Sequence, residues 1–161
     1  MTDQLIAEQA ALVTSLLPKL VRQLFILDVN DPTIELPVSQ LRVCGILSLG
    51  PRSMSMLSRD LGISLSAVTQ IADRLERAKL VERIAEEDDR RVKSLQLTPH
   101  GSAVMQARRE RRIRRVQQVM QQVAPDAREH IVQSLRLLLD ASLAVMPETP
   151  GEATLKEAME A

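Results

Sequence analysis

Tryptophan and tyrosine are absent and Phe25 is the single aromatic in 161 residues, although 45% of the chain is apolar. A core must therefore be built from Leu, Ile, Val, Ala and Met, a set that favours helices over a β-sandwich. One cysteine, Cys44, excludes an internal disulfide framework, and two histidines with no cysteine cluster exclude an ordinary structural zinc site. There is no glycine-rich phosphate loop and no internal repeat. His100 and His130 lie at separate helix starts with no nucleophile pattern or paired carboxylate motif, so no catalytic residues, metal or cofactor are expected and the chain is not read as an enzyme. No apolar run approaches the ~18 residues of a membrane span, and the first residues carry Asp3 and Glu8 where a basic leader would stand. A cytoplasmic protein without a membrane partner is expected.

The formal net charge is zero, but the charge is unevenly distributed. Residues 1–51 hold 3 bases and 5 acids, 52–93 hold 9 and 8, 94–124 hold 6 and 1, and 125–161 hold 3 and 7. The segments thus carry −2, +1, +5 and −4, and a basic middle is flanked by acidic ends.

From Gln4 to about Val29 the residues are mostly helix formers, with Leu5, Leu12, Leu16, Leu20 and Leu24 recurring at spacings of seven and then four. Pro18 inside that pattern should kink the helix or split it in two. Asn30 to Pro37 reads as a loop, followed by a helix at about 38–49 that Gly50-Pro51 closes. A short helix from about Ser55 should face Leu57 and Leu61 inward and stop at Gly62, and Ser64 should cap the next helix, which runs to about Lys79. Two helices separated by Gly62, Ile63 and Ser64 form a helix-turn-helix. LVERI and SLQLT flank the polar EEDDRRVK and read as a hairpin. Thr98 and Pro99 then open a long helix to about Val123, Ala124-Pro125-Asp126 breaks it, and a last amphipathic helix reaches about Val145 with Ile131, Leu135, Leu138, Ser142 and Val145 on one stripe. The tail from Met146 is expected to fray.

In the helix after Ser64, Val68, Ile71, Ala72 and Leu75 fall at i, i+3, i+4 and i+7 and make one apolar face. The opposite face shows Ser66, Thr69, Gln70, Asp73, Arg74 and Arg77. Hydroxyls and an amide in the first turns, with arginine a turn later, suit a helix that enters the major groove, where Gln can read adenine and the helix N-terminus attracts phosphate. An ordinary amphipathic helix with a solvated face has the same pattern, so the hairpin and the paired helix are what favour DNA.

LSRDLGISLSAVTQIADRLERAKLVER followed by DDRRVKSLQLTPHG resembles the winged helix-turn-helix of the MarR family of bacterial transcription regulators, and LPVSQLRVCGIL resembles the family helix before it. The motifs cover roughly residues 36–104, and the order of elements agrees over the whole chain. The resemblance implies a mainly α fold with a small β-hairpin wing, and a dimer made by helices from both chain ends. It divides the chain into an N-terminal dimerisation helix and loop (1–35), the winged helix-turn-helix (36–98), C-terminal dimerisation helices (99–146) and a flexible tail (147–161). The implied partners are double-stranded DNA and a second copy of the chain. The implied DNA-contacting residues are Ser64, Leu65, Ser66, Thr69, Gln70 and Arg74 on the recognition helix and Asp89, Arg90, Arg91 and Lys93 on the wing. In the family pattern the arginine at Arg91 enters the minor groove and the aspartate at Asp89 holds it, which suits the negative potential of a narrow groove and the need to fix a long side chain. Arg90 and Lys93 are candidates for phosphate, with a solvated wing as the alternative. Glu86, Glu87 and Asp88 are unexplained by the motif and should weaken nonspecific attraction to phosphate.

RRERRIRR packs Arg108, Arg109, Arg111, Arg112, Arg114 and Arg115 into about two turns, where like charges repel and call for anionic company. That company is either DNA phosphate or the acids of the chain ends across a dimer interface. Cys44 falls where the family pattern places a core aliphatic, so a buried, inert thiol is expected. Taken together, the sequence points to a repressor of DNA transcription with a pseudo-palindromic operator, relieved by a small-molecule effector if it has one. An aliphatic or amphipathic effector fits better than a stacked aromatic one, because family pockets often use aromatics and Phe25 is the only one here. The alternative is a winged helix that mediates protein contacts through the acidic ends without reading DNA.

Overall fold

The computed structural model describes residues 2–25, 36–85 and 93–145. In chain order the elements are α1 (Thr2–Leu24), α2 (Val38–Leu47), β1 (Arg52–Ser53), α3 (Met54–Leu61), α4 (Leu65–Arg77), β2 (Val81–Ala85), β3 (Lys93–Leu97), α5 (Pro99–Gln121) and α6 (Pro125–Val145). This is the expected mainly helical winged fold. The sheet has three antiparallel strands in the order β1-β3-β2, one more than the hairpin read from the sequence. Val81 pairs with Leu97, Arg83 with Leu95 and Ala85 with Lys93, while Arg52 and Ser53 lie opposite Leu95 and Ser94.

Both helices of the helix-turn-helix are closed by the same backbone device. After α3, Gly62 adopts φ 64° and ψ 33°; its N–H reaches the Arg59 carbonyl and the Ile63 N–H reaches the Ser58 carbonyl. The Ser58 hydroxyl adds a 2.6 Å bond to the Ile63 carbonyl. After α4, Lys79 takes the left-handed position at φ 58°, with Lys79 N–H on Glu76 O and Leu80 N–H on Leu75 O. These reciprocal bonds satisfy carbonyls that a helix end leaves without partners. A non-glycine residue at positive φ carries strain of roughly 1–2 kcal/mol, which the two bonds and the burial of Leu75 and Leu80 offset.

The core lies under these helices and the sheet. Val43, Cys44 and Leu47 of α2, Leu57 and Leu61 of α3, Val68, Ile71, Ala72 and Leu75 of α4, Val81 and Leu95 of the sheet are all buried. The apolar face expected of α4 is thus the one that packs. Thr98 caps α5, its hydroxyl accepting from the Gly101 N–H at 2.9 Å and donating to the Lys79 carbonyl at 2.7 Å, and its own N–H reaches Leu80 O at 3.0 Å. The start of α5 is therefore bolted to the turn that ends α4.

Two expectations need correcting. Pro18 does not split the first helix, which runs unbroken from Thr2 to Leu24. A proline removes one N–H from the ladder, and a helix 23 residues long keeps its rungs on either side. That helix ends at Leu24 with Phe25 in a turn, and residues 26–29 of the expected span lie outside the described residues, as does the tail from Met146. The helices at the chain ends bury little in this chain. Leu12 and Leu16 of α1 are 61% and 59% exposed, Leu135 of α6 is 49% exposed, and no described residue of α6 is buried.

Candidate nucleic-acid interface

The first turn of α4 is built by Ser64, whose hydroxyl accepts from the Ala67 N–H at 3.2 Å and shares a 2.9 Å bond with the Ser66 hydroxyl. That cap leaves the first N–H groups of a 13-residue helix pointing outward, the arrangement that attracts phosphate. Because α4 buries Val68, Ile71, Ala72 and Leu75, the helical period forces Ser66, Thr69, Gln70, Asp73, Arg74 and Arg77 onto the opposite side, and all six are exposed. Leu65 is 50% exposed at the start of the helix, a position where apolar contact with a thymine methyl becomes available. Thr69 donates its hydroxyl to the Leu65 carbonyl at 2.9 Å, so toward a ligand it offers lone pairs and a methyl group. Arg77 turns its Nε back onto the Asp73 carbonyl at 3.2 Å, which leaves Gln70 and Arg74 as the longer exposed polar side chains nearest the N-terminal turns.

The structure thus brings the six recognition-helix candidates together on one exposed surface. Asp89, Arg90 and Arg91 lie outside the described residues, as do Glu86, Glu87 and Asp88. Lys93 opens β3 opposite Ala85. One arginine that the sequence reading did not single out stands beside this surface. Alternation along β2 turns Val81 and Arg83 to the same side of the sheet, and Val81 is buried in the core that α4 shares. Arg83 reaches α4 there, with Nη2 at 2.5 Å from Asp73 Oδ1 and Nη1 at 2.6 Å from Glu76 Oε2. The bond to Asp73, together with the nearby Glu76 charge, pushes the guanidinium pKa up against the opposing effect of its partial burial. On the other face of the hairpin Gln96 donates to Glu82 at 2.7 Å across the strands. The only sequence signal for the Arg83 clamp was two acids one turn apart on α4 followed by a strand arginine, a pattern too common to single out.

The arginine cluster of α5 takes an unexpected place. Arg112 sits over the Phe25 ring at 4.4 Å, a cation–π contact joining α5 to the end of α1. Arg114 makes a long pair with Glu110 at 3.8 Å. Arg108, Arg109 and Arg112 line one side of a half-open cavity of about 930 Å³, with Leu47, Leu49, Leu97 and Met105 supplying its apolar surface and no acid in its lining. Cys44 is buried as expected, and burial pushes its thiol pKa up to about 11.

A family model described as the MarR family matches residues 34–92, the stretch that holds α2, β1, α3, α4 and β2 and stops just before β3. Over that stretch the chain is similar to the MarR family. Members of that family are DNA-binding transcription regulators and not enzymes. Among relatives, the chain is 26% identical over 106 residues to the uncharacterized HTH-type transcriptional regulator YfiV of Bacillus subtilis, a match covering 65% of this chain and 66% of that protein. RV1404 of Mycobacterium tuberculosis superposes with a TM-score of 0.71 at 28% identity, over 84% of this chain and 92% of that one. FabT of Streptococcus pneumoniae, solved in complex with DNA, shares the fold with a TM-score of 0.62 at 18% identity, over 91% of this chain and 100% of that one. No helix among the described residues is long and apolar enough to cross a membrane.

Proposed function

We propose that this chain is a MarR-family regulator, a cytoplasmic homodimer that represses transcription by binding a pseudo-palindromic operator, with two copies of α4 in successive major grooves and two wings in the flanking minor grooves. The observation that carries the reading is the surface of α4, where Ser64, Leu65, Ser66, Thr69, Gln70 and Arg74 share one exposed side at a capped helix N-terminus. Gln70 reads a base edge, Ser64, Ser66 and Arg74 hold phosphates, and Leu65 and the Thr69 methyl meet the apolar edge of thymine. On the wing, Arg91 enters the minor groove, Asp89 holds it, and Arg90 and Lys93 contact phosphate. The fold shared with a DNA-bound structure supports this assignment.

Dimerisation follows from the chain ends. Residues 1–35 and 99–146 supply the dimer, 36–98 bind DNA, and the exposed leucines of α1 and α6 are the apolar surface that a second copy would cover. The cavity between α2, β3 and α5 adjoins both parts and has the size of a small-ligand site, for which ~300–1,000 Å³ is usual. An effector held there, aliphatic at the leucines and anionic at the arginines, would release the repressor by favouring a spacing of the two α4 helices that misses grooves ~34 Å apart.

The test is a salt titration by fluorescence anisotropy, with DNA from beside the chain's own gene against random DNA of equal length. A regulator of this kind loses affinity steeply with salt and prefers its own DNA, and Arg91→Ala weakens binding severalfold or more. Binding that is flat in salt, or unaffected by Arg91→Ala, would return the chain to a protein-interaction module. A thermal-shift screen with aliphatic carboxylates then addresses the cavity.

A further inference from the structure

Asp73 presents a difficulty for the interface described above. It lies on the exposed side of α4, seven residues after Ser66 and hence two turns along the same face, and Glu76 follows on the next turn. Two carboxylates next to a phosphate-seeking surface repel the polyanion it is meant to bind. Arg83 meets both of them, from a neighbouring strand and at 2.5 and 2.6 Å, with 29% of its side chain exposed against 50% and 40% for Asp73 and Glu76. One guanidinium presents a rigid fork, and here each arm takes a different carboxylate. The clamp halves the local negative charge and ties the middle of α4 to the wing strand β2.

We propose that Arg83 is a positioning residue for DNA binding, which acts by offsetting half of the charge of Asp73 and Glu76 and by holding the recognition helix to the hairpin, without itself touching DNA. The inference rests on the DNA-binding reading. Its guanidinium is committed to two carboxylates, so it has little left to offer a phosphate. A glutamine in its place leaves two uncompensated acids beside the DNA, and an exposed clamp of this kind contributes little to folding itself.

The experiment measures the affinity of the full chain for its own and for random DNA, at several salt concentrations, with wild type, Arg83→Gln, and the charge-neutral triple Arg83→Gln, Asp73→Asn, Glu76→Gln. If wild type shows no salt-dependent preference for its DNA, the DNA reading itself fails, and that result is separate from anything the variants do. Given wild-type binding, Arg83→Gln is expected to bind about tenfold more weakly, the effect of an uncompensated charge several Å from phosphates across a hydrated interface. The triple variant, whose local charge is zero where wild type carries −1 and Arg83→Gln −2, should bind at least as tightly as wild type, and the slope of log affinity against log salt should stay the same for all three. Circular dichroism and sedimentation confirm that each variant keeps the fold and assembly of wild type. Three outcomes overturn the proposal: Arg83→Gln binding like wild type, a triple variant no tighter than the single one, or a slope reduced by about 0.9 on losing Arg83, the signature of a direct phosphate contact. Should Arg83→Gln fail to fold, the double variant Asp73→Asn, Glu76→Gln decides in its place: it should bind DNA more tightly than wild type, and binding no tighter overturns the proposal.

Discussion

Gly101→Ala reverses the usual rule for helices. Gly101 sits in the first turn of α5, and a Cβ built on it would lie 2.0 Å from the Leu80 carbonyl oxygen and 2.9 Å from its carbon. A carbon and a carbonyl oxygen do not approach closer than ~3.3 Å, so α5 must move by more than an ångström from the turn that ends α4. That movement strains or breaks the Thr98 N–H bond to Leu80 O at 3.0 Å and the Thr98 hydroxyl bond to Lys79 O at 2.7 Å. Two hydrogen bonds at ~0.5–1.5 kcal/mol each, plus an overpacking cost of ~1–3 kcal/mol, outweigh the ~1 kcal/mol that alanine gains in a helix. The expected loss is about 1–5 kcal/mol, read as a lower urea midpoint with an unchanged slope at fixed protein concentration. Ala103→Gly, two residues on and exposed, serves as the control and should lose up to about 1 kcal/mol through propensity alone. An alanine variant at position 101 that is as stable as wild type, or more so, would refute the close approach of α5 to Leu80.

Cys44 is buried with its thiol pKa raised to about 11, so at pH 8 the folded chain should resist a thiol reagent at least 100-fold more than the urea-unfolded chain; equal rates would contradict the burial. The same burial fixes a sign for pH dependence. Between the unfolded thiol's value of ~8.5 and about 11, the unfolded chain holds fewer protons than the folded one, so stability from this group is present below ~8.5 and falls as pH rises through that window. Urea midpoints at pH 8 and pH 10, compared with those of Cys44→Ala, isolate it. Leu12→Asp and Leu135→Asp place charges on the exposed faces of α1 and α6, where covering a leucine stabilises a dimer by ~1.5–3 kcal/mol per site. Sedimentation should show each shifting from dimer toward monomer with the winged core still folded, and an unchanged mass would place the dimer contact elsewhere.

The helix-turn-helix was legible in the sequence because each of its signals is local. Gly62 and Ser64 act within one turn of themselves, and the spacing of Val68, Ile71, Ala72 and Leu75 decides which side of α4 is buried wherever that helix packs. The hairpin and the Thr98-Pro99 helix start were legible for the same reason. The strand β1 was not, because two residues carry no period to read. Of the kink or split expected at Pro18 only the split is overturned, because the cost of a proline inside a helix is a local argument, whereas the continuity of α1 is a property of the whole helix.

The sequence by itself thus determined the order of the elements, the inward face of α4 and the polar set it presents outward, all of which follow from helical and strand periods. Only the tertiary structure decided which long-range partners meet. It placed Arg83 between Asp73 and Glu76, ten and seven residues away across a turn, and it turned Arg108, Arg109 and Arg112 toward a cavity. It also made Gly101 a contact point with Leu80 where propensity alone favours alanine. The physical reason is the same in each case: the energy of a charge pair or a steric contact depends on distances set by packing between elements, and no period within one element encodes them.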